Sequence, residues 1–321
     1  MYLSIRMALV ALALAASGLA GAQQFPTKPV NIVVPNPPGG SIDVMARVFA
    51  DGLQKLWDGK PVIVEYKPGA GTAIGMEYVA KSDPDGHTIG MAVTPMVILP
   101  ALRKMPYDTL KDLAPVTMTG TSAIMIAAAP NLPANDLRGV IEMAKKNPGK
   151  MTYASPGAGS SMHLAGELLK QQAGIDILHV PFKGGAQAYP EVMAGRVELQ
   201  LDPAFGIYRH VKAGKMKAIA VTTAKRDPAA PEVPAVAETI PGFEVLSING
   251  IVVAGKTPRP LIDRLNADFR KLLAQPEVAK RMESFGITVV GNSPDEFGKF
   301  IRDEIERWTK VAKAANISLD K

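Results

Sequence analysis

The sequence predicts an α/β protein of two lobes, each a mainly parallel sheet flanked by helices. Three observations lead there. Short β-type runs alternate with segments of helical period along the whole chain, the pattern of βα units. Two extended stretches, 116–129 and 243–254, are long for single strands and read as crossings between lobes. The length of 321 residues exceeds most compact single domains and suits two.

The elements follow in chain order. Arg6 supplies a short positive region, and residues 7–16 form an apolar run of signal-peptide length, too short to span a membrane. Ala20-Gly21-Ala22 reads as a cleavage site, so residues 1–22 are expected to be a signal peptide removed on export to the periplasm, leaving Gln23 first. Strand-like runs then occur at 30–34, 62–66, 88–94, 116–129, 151–154, 175–180, 197–201, 216–222 and 248–254. Between them, Val44, Val48, Leu53, Leu56 and Trp57 share one helical face, as do Leu164, Leu168 and Leu169. The last helix has Ser293 as its cap, Pro294 at its first position and Glu296 completing a capping box. Phe297, Phe300, Ile301, Ile305 and Trp308 form its apolar stripe. The first lobe is expected from 23–121 and 247–321, closed by C-terminal helices, with the second, 122–246, inserted between.

Composition narrows the chemistry. Hydrophobic residues are 47% and charged residues 21%, an ordinary globular balance. Cysteine is absent, which excludes a disulfide framework, a thiolate metal site and a cysteine nucleophile. The net charge of +6 is spread along the chain. Its densest cluster, Lys145, Lys146 and Lys150, reads as a solvated helix end. With aromatics at 6%, base-stacking platforms are lacking, so nucleic acid is not an expected partner. A mild positive field favours small anions.

Three segments share one construction: strand, glycine-rich turn, helix start. The first carries Asn36, Pro38, Gly39, Gly40 and Ser41. The second carries Ser155, Gly159, Ser160 and Ser161, and the third Lys183, Gly184, Gly185 and Ala186. Free N–H groups and the helix dipole at such starts favour an anion, and in parallel sheets these turns lie where ligands bind. Ordinary βα turn chemistry is the alternative. A fourth turn, Gly69 to Gly75, is one residue off a dinucleotide fingerprint and reads as a tight turn into a helix. Asp202, at the end of a strand, faces either a ligand or the next helix as its cap.

Enzyme constellations are weak. The four histidines, His87, His163, His179 and His210, show no metal-binding spacing, and no nucleophile elbow occurs. Ser160 and Ser161 near His163 leave a secreted serine hydrolase as a minor alternative. Asp83-Pro84-Asp85-Gly86 lacks the remaining ligands of a calcium loop and reads as a turn.

In this order, the segments resemble the Bug family, the TctC-like substrate-binding proteins of tripartite tricarboxylate transporters. The resemblance runs from Phe25-Pro26-Thr27-Lys28-Pro29-Val30 and V-P-x-P-P-G-G-x-x-D at Val34 to Asp43, through Glu65 to Gly75 and Pro84-Asp85-Gly86. Leu110 to Val116, His163-Leu164-Ala165-Gly166-Glu167, His179 to Gly184 and Lys256-Thr257-Pro258 continue it. It implies a hinged, two-lobed periplasmic-binding (Venus flytrap) fold, a small carboxylate ligand and no cofactor. The ligand would be a di- or tricarboxylate, an acidic amino acid or an aromatic acid. It also implies membrane transporter subunits as partners, or a membrane sensor to which ligand is presented, with the binding protein itself a monomer. The implied ligand-binding residues are Asn36 to Ser41, Thr94, Gly159 to Ser161, Gly184 to Ala186 and Asp202; Ser155 and Asn249 complete the candidate set. The sequence departs from the family pattern at Asn36 and Asn249, where aromatics are usual, and at Tyr66, Met162 and Pro203.

Overall fold

The computed structural model describes residues 25–39, 41–182 and 184–319. The expected signal segment lies outside them, as do Gly40 and Lys183.

The chain opens with β1 (Val30–Val34), α1 (Ser41–Leu56), β2 (Val62–Tyr66), α2 (Ala73–Ala80), β3 (Thr88–Val93) and α3 (Pro95–Leu102). It continues through β4 (Leu113–Ala128), α4 (Leu137–Lys146), β5 (Thr152–Ser155), α5 (Ser161–Ala173), β6 (Leu178–Pro181) and α6 (Gly185–Met193). Then come β7 (Leu199–Pro203), α7 (Ala204–Lys212), β8 (Lys217–Val221) and β9 (Leu246–Ala254). The chain ends with α8 (Arg259–Leu273), α9 (Pro276–Glu283), β10 (Thr288–Val289) and α10 (Pro294–Ala314).

Strand β4, 16 residues long, belongs to two sheets. Its first part pairs antiparallel with β9, from Leu113 opposite Ala254 to Ala123 opposite Leu246. Its last part, from Ile124 to Ala128, lies between β7 and β8. The first sheet runs β2-β1-β3-β9-β4 with β10 also on β4, and the second runs β8-β4-β7-β5-β6. Parallel pairing holds where the βα units repeat, β1 with β2 and β3, and β5 with β6 and β7. The crossing strands add antiparallel pairs.

Both faces of each sheet are buried, which explains the nearly continuous apolar strands. One core, with Phe49, Phe269 and Leu272, lies under α1, α8 and α9. A second, with Ala188, Val192 and Ile207, lies under α6 and α7. The third is shared: it runs from Met76 and Met96 through Phe297 and Trp308 of α10 to Leu164 and Leu169 of α5. Helix α10 thus ties the two sheets together. Its start follows the sequence: the Ser293 hydroxyl accepts from Glu296 N–H at 3.3 Å and the Glu296 carboxylate accepts from Ser293 N–H at 2.8 Å.

Two sequence expectations shift. The buried face of α1 is centred on Met45, Phe49 and Leu53, so Val44 and Val48 flank the stripe. The run at 175–180 starts as the exit from α5: Gly174 takes φ 59° and Ile175 N–H bonds back to Lys170 O at 3.1 Å, and only Leu178–Pro181 pairs as strand.

Candidate ligand-binding cleft

A cleft of about 550 Å³ lies between the two sheets where β4 and β9 cross. Asn36, Thr94, Ser161, Asp202 and Asn249, all candidates from sequence, line it. A wider groove of about 790 Å³ lies elsewhere, between Lys28, Glu77 and Asp85. It sits at the N-terminal ends of β1 and β3, the opposite end from where α/β sheets bind ligands, and contains none of the candidates.

On the first-sheet side, Asn36 follows β1 and its Oδ1 is buried without a hydrogen-bond partner. Thr94, buried at the end of β3, accepts from Ile248 N–H at 2.9 Å, fixing β3 to β9. Asn249 is buried and paired through its backbone with β3 and β4. Ser122 of β4 stands opposite Ser247 of β9, and both reach the cleft floor.

The turn after β1 is held from outside. Asp43, in the first turn of α1, accepts from Gly39 N–H at 2.7 Å, from the Tyr66 hydroxyl at 2.5 Å and from Arg47 at 2.8 Å. The Tyr66 hydroxyl first, then the Gly39 amide, hold this carboxyl below the usual range. Pro38 and Gly39 are exposed and lie outside the cleft lining. Ser41 is the first residue of α1.

On the second-sheet side, Ser160 caps α5. Its hydroxyl accepts from His163 N–H at 3.2 Å and donates to Gly157 O at 2.7 Å. The N–H groups of Ser161 and Met162 have no carbonyl within the helix to bond. Both residues line the cleft, so the positive end of α5 opens onto it. Asp202, next to last in β7, is 5% exposed and accepts the Tyr189 hydroxyl at 2.5 Å. Burial pushes its carboxyl up to about 6, against the opposing pull of the Tyr189 bond. Gly184 and Gly185 are half-buried and Ala186 exposed; the start of α6 packs against Asp202 rather than lining the open cavity.

Across most of the chain a family model matches, that of the tripartite tricarboxylate transporter family receptor, over residues 45–317. The chain belongs to this family. BugT of Bordetella pertussis is 32% identical over 320 residues, covering 98% of each chain. A Rhodopseudomonas palustris protein with adipate superposes with a TM-score of 0.78 at 31% identity, covering 92% of this chain and 99% of that one. The same organism's MatC with bound malate gives 0.73 at 29%, covering 89% and 99%.

This receptor is therefore a solute-binding protein with the two-lobed periplasmic-binding fold, not an enzyme. The serine–histidine pairing weighed from sequence is not formed. The Ser160 hydroxyl serves the cap, and His163 Nδ1 accepts Gly159 N–H at 3.1 Å. The turn from Gly69 to Gly75 serves packing: a Cβ on Gly75 would sit 2.9 Å from Pro35 Cβ and 3.0 Å from Lys67 O.

Sequence reasoning missed the support beneath α5. His163 and His179 stack with centroids 4.0 Å apart, and His179 stacks on Tyr153 at 4.9 Å. Ser155 Oγ bonds His179 Nε2 at 2.7 Å, and the Tyr153 hydroxyl donates to Glu167 at 2.8 Å. Ser155, Gly159 and Ser160 thus shape the turn before α5 from behind. Tyr189, Phe205 and Phe285 also line the cleft without having been singled out.

Proposed function

We propose that this receptor captures a small carboxylate in the cleft and delivers it to the membrane subunits of a tripartite tricarboxylate-type transporter. The carrying observation is the start of α5, where Ser161 and Met162, whose N–H groups have no partner within the helix, line a cavity that also holds Thr94 and Asn249; the Ser161 hydroxyl donates to Met162 Sδ at 3.2 Å. Such a start favours an anion through its dipole and its free donors together. Relatives with adipate and malate support a carboxylate ligand.

Capture proceeds by hinge closure of a monomer. Residues 23–121 with 247–321 form one lobe and 122–246 the other, with β4 and β9 as the connecting strands. Export removes residues 1–22, so the periplasmic protein begins at Gln23.

A thermal-shift screen of mono-, di- and tricarboxylates on the mature protein tests the reading. A ligand at about 100 times its Kd stabilises by about 2.7 kcal/mol, and small-angle scattering should show compaction with it. Failure of every carboxylate to raise Tm would refute the proposal.

A further inference from the structure

Phe205, near the start of α7, and Phe285, between α9 and β10, meet across the mouth of the cleft with ring centroids 6.0 Å apart. They come from opposite sheets. The contact extends to the backbone, since a Cβ on Gly286 would lie 2.9 Å from Phe205 Cβ. Phe205 is 55% exposed, a large apolar side chain held at the entrance to a binding cavity. Ile42 and Ile287 continue this surface on the first-sheet side. Apolar surface of this kind gains most from a ligand whose own body is apolar and flat, because aromatic pairs add a geometric term to area burial.

Two polar features limit what else the ligand carries. Asn36 Oδ1 is a buried acceptor with no partner, which only a donor satisfies. Asp202 is the one carboxylate among the described lining residues, and none of them is lysine or arginine. A ligand with two carboxylates would add a second negative charge to a cavity whose described walls offer no cation. One carboxylate at the start of α5 does not.

We infer that the ligand is a hydroxylated aromatic monocarboxylate. Its carboxylate sits at Ser161 and Met162, its ring against Phe205 and Phe285, and its hydroxyl donates to Asn36 Oδ1. This rests on the carboxylate-binding role proposed above and commits it to one class.

Titration calorimetry of the mature protein with 3- and 4-hydroxybenzoate, benzoate, adipate and malate tests it. One of the hydroxybenzoates should bind at least about tenfold tighter than benzoate, because a site built around a hydroxyl rejects the analogue lacking it. It should also bind tighter than adipate or malate. Phe205→Ala, at an exposed position, should weaken the hydroxybenzoate severalfold while the unliganded Tm stays near that of the parent. Phe285→Ala should weaken it likewise but lower the unliganded Tm, because that ring also packs on the first core. Asn36→Leu should erase the advantage over benzoate. If adipate or malate binds as tightly as any aromatic acid, or the hydroxyl gives no gain, the inference is overturned while carboxylate capture stands. If no carboxylate in the wider screen binds, both fall.

Discussion

Gly185 touches Asp202 so closely that a Cβ on the glycine would lie 2.0 Å from the carboxylate Oδ2. The first turn of α6 and the end of β7 therefore meet with nothing larger than hydrogen between them. Gly185→Ala should push α6 away and disturb the Tyr189–Asp202 bond. Overpacking of this kind typically costs about 1–3 kcal/mol. Urea titration reads the loss directly, and unchanged stability would mean that α6 shifts freely.

Asp202 also sets a pH dependence. Its carboxyl, raised to about 6 by burial, takes up a proton more readily folded than unfolded, where about 3.9 applies. The stabilising contribution of the protonated form is full below about pH 4 and is lost as pH rises through about 6. At pH 7.5 the desolvated carboxylate therefore lowers stability by about 3 kcal/mol. Asp202→Asn keeps an acceptor for Tyr189 and removes the charge. It should raise the unliganded stability at pH 7.5 by that amount and leave it unchanged near pH 4. A variant less stable than the parent at pH 7.5 would show that the ionised carboxylate supports the fold.

The histidine stack works with the opposite sign. Burial first, then the neighbouring His163 and Lys170, hold His179 down to about 3. The unfolded chain binds this proton at about 6.5, so stability falls as pH drops below that value. At pH 5 the loss from His179 is about 2 kcal/mol by linkage. His179→Phe keeps a ring between Tyr153 and His163 and should shrink the stability loss from pH 7 to pH 5 by about this much. The Asp202 contribution is common to both proteins and cancels in the comparison. Equal losses in parent and variant would place the acid sensitivity elsewhere.

Much of this architecture was legible because local signals were strong. β1 and β2 follow their apolar runs residue for residue, and the Ser293–Glu296 box marks the start of α10. The apolar Ile175 and Ile177 misled, since both are buried in a connection rather than a strand. In the cleft, residues at strand ends or helix starts were identifiable: Asn36, Thr94, Ser161 and Asp202. Phe205 and Phe285 were not, because their meeting depends on how α7 faces the segment after α9, which no local pattern encodes. Ser122 and Ser247 were not marked either, because Thr117, Thr119 and Thr121 in the one crossing run and Asn249 in the other are also polar.

Ser161→Pro separates the helix-start model from a surface-charge model. Ser161 is the first residue of α5, the one helical position where proline is favoured because its missing N–H would have no partner in the helix. Ser160, which precedes it, has φ −71° and ψ 158°, the extended conformation that a residue before proline prefers. The variant should therefore fold with the Tm of the parent. It loses one N–H and one hydroxyl from the cleft without changing net charge. Donors to a charged group contribute about 1.5–3 kcal/mol each, so affinity should fall at least about tenfold, with the loss equal in low and high salt. Contacts at the start of α5, inside the cleft, are short and shielded on the proposed reading, so salt should change the parent's affinity little. Titration calorimetry at two ionic strengths decides between the models. Binding that survives Ser161→Pro yet collapses with salt in the parent would move the carboxylate from the start of α5 to exposed lysines and arginines.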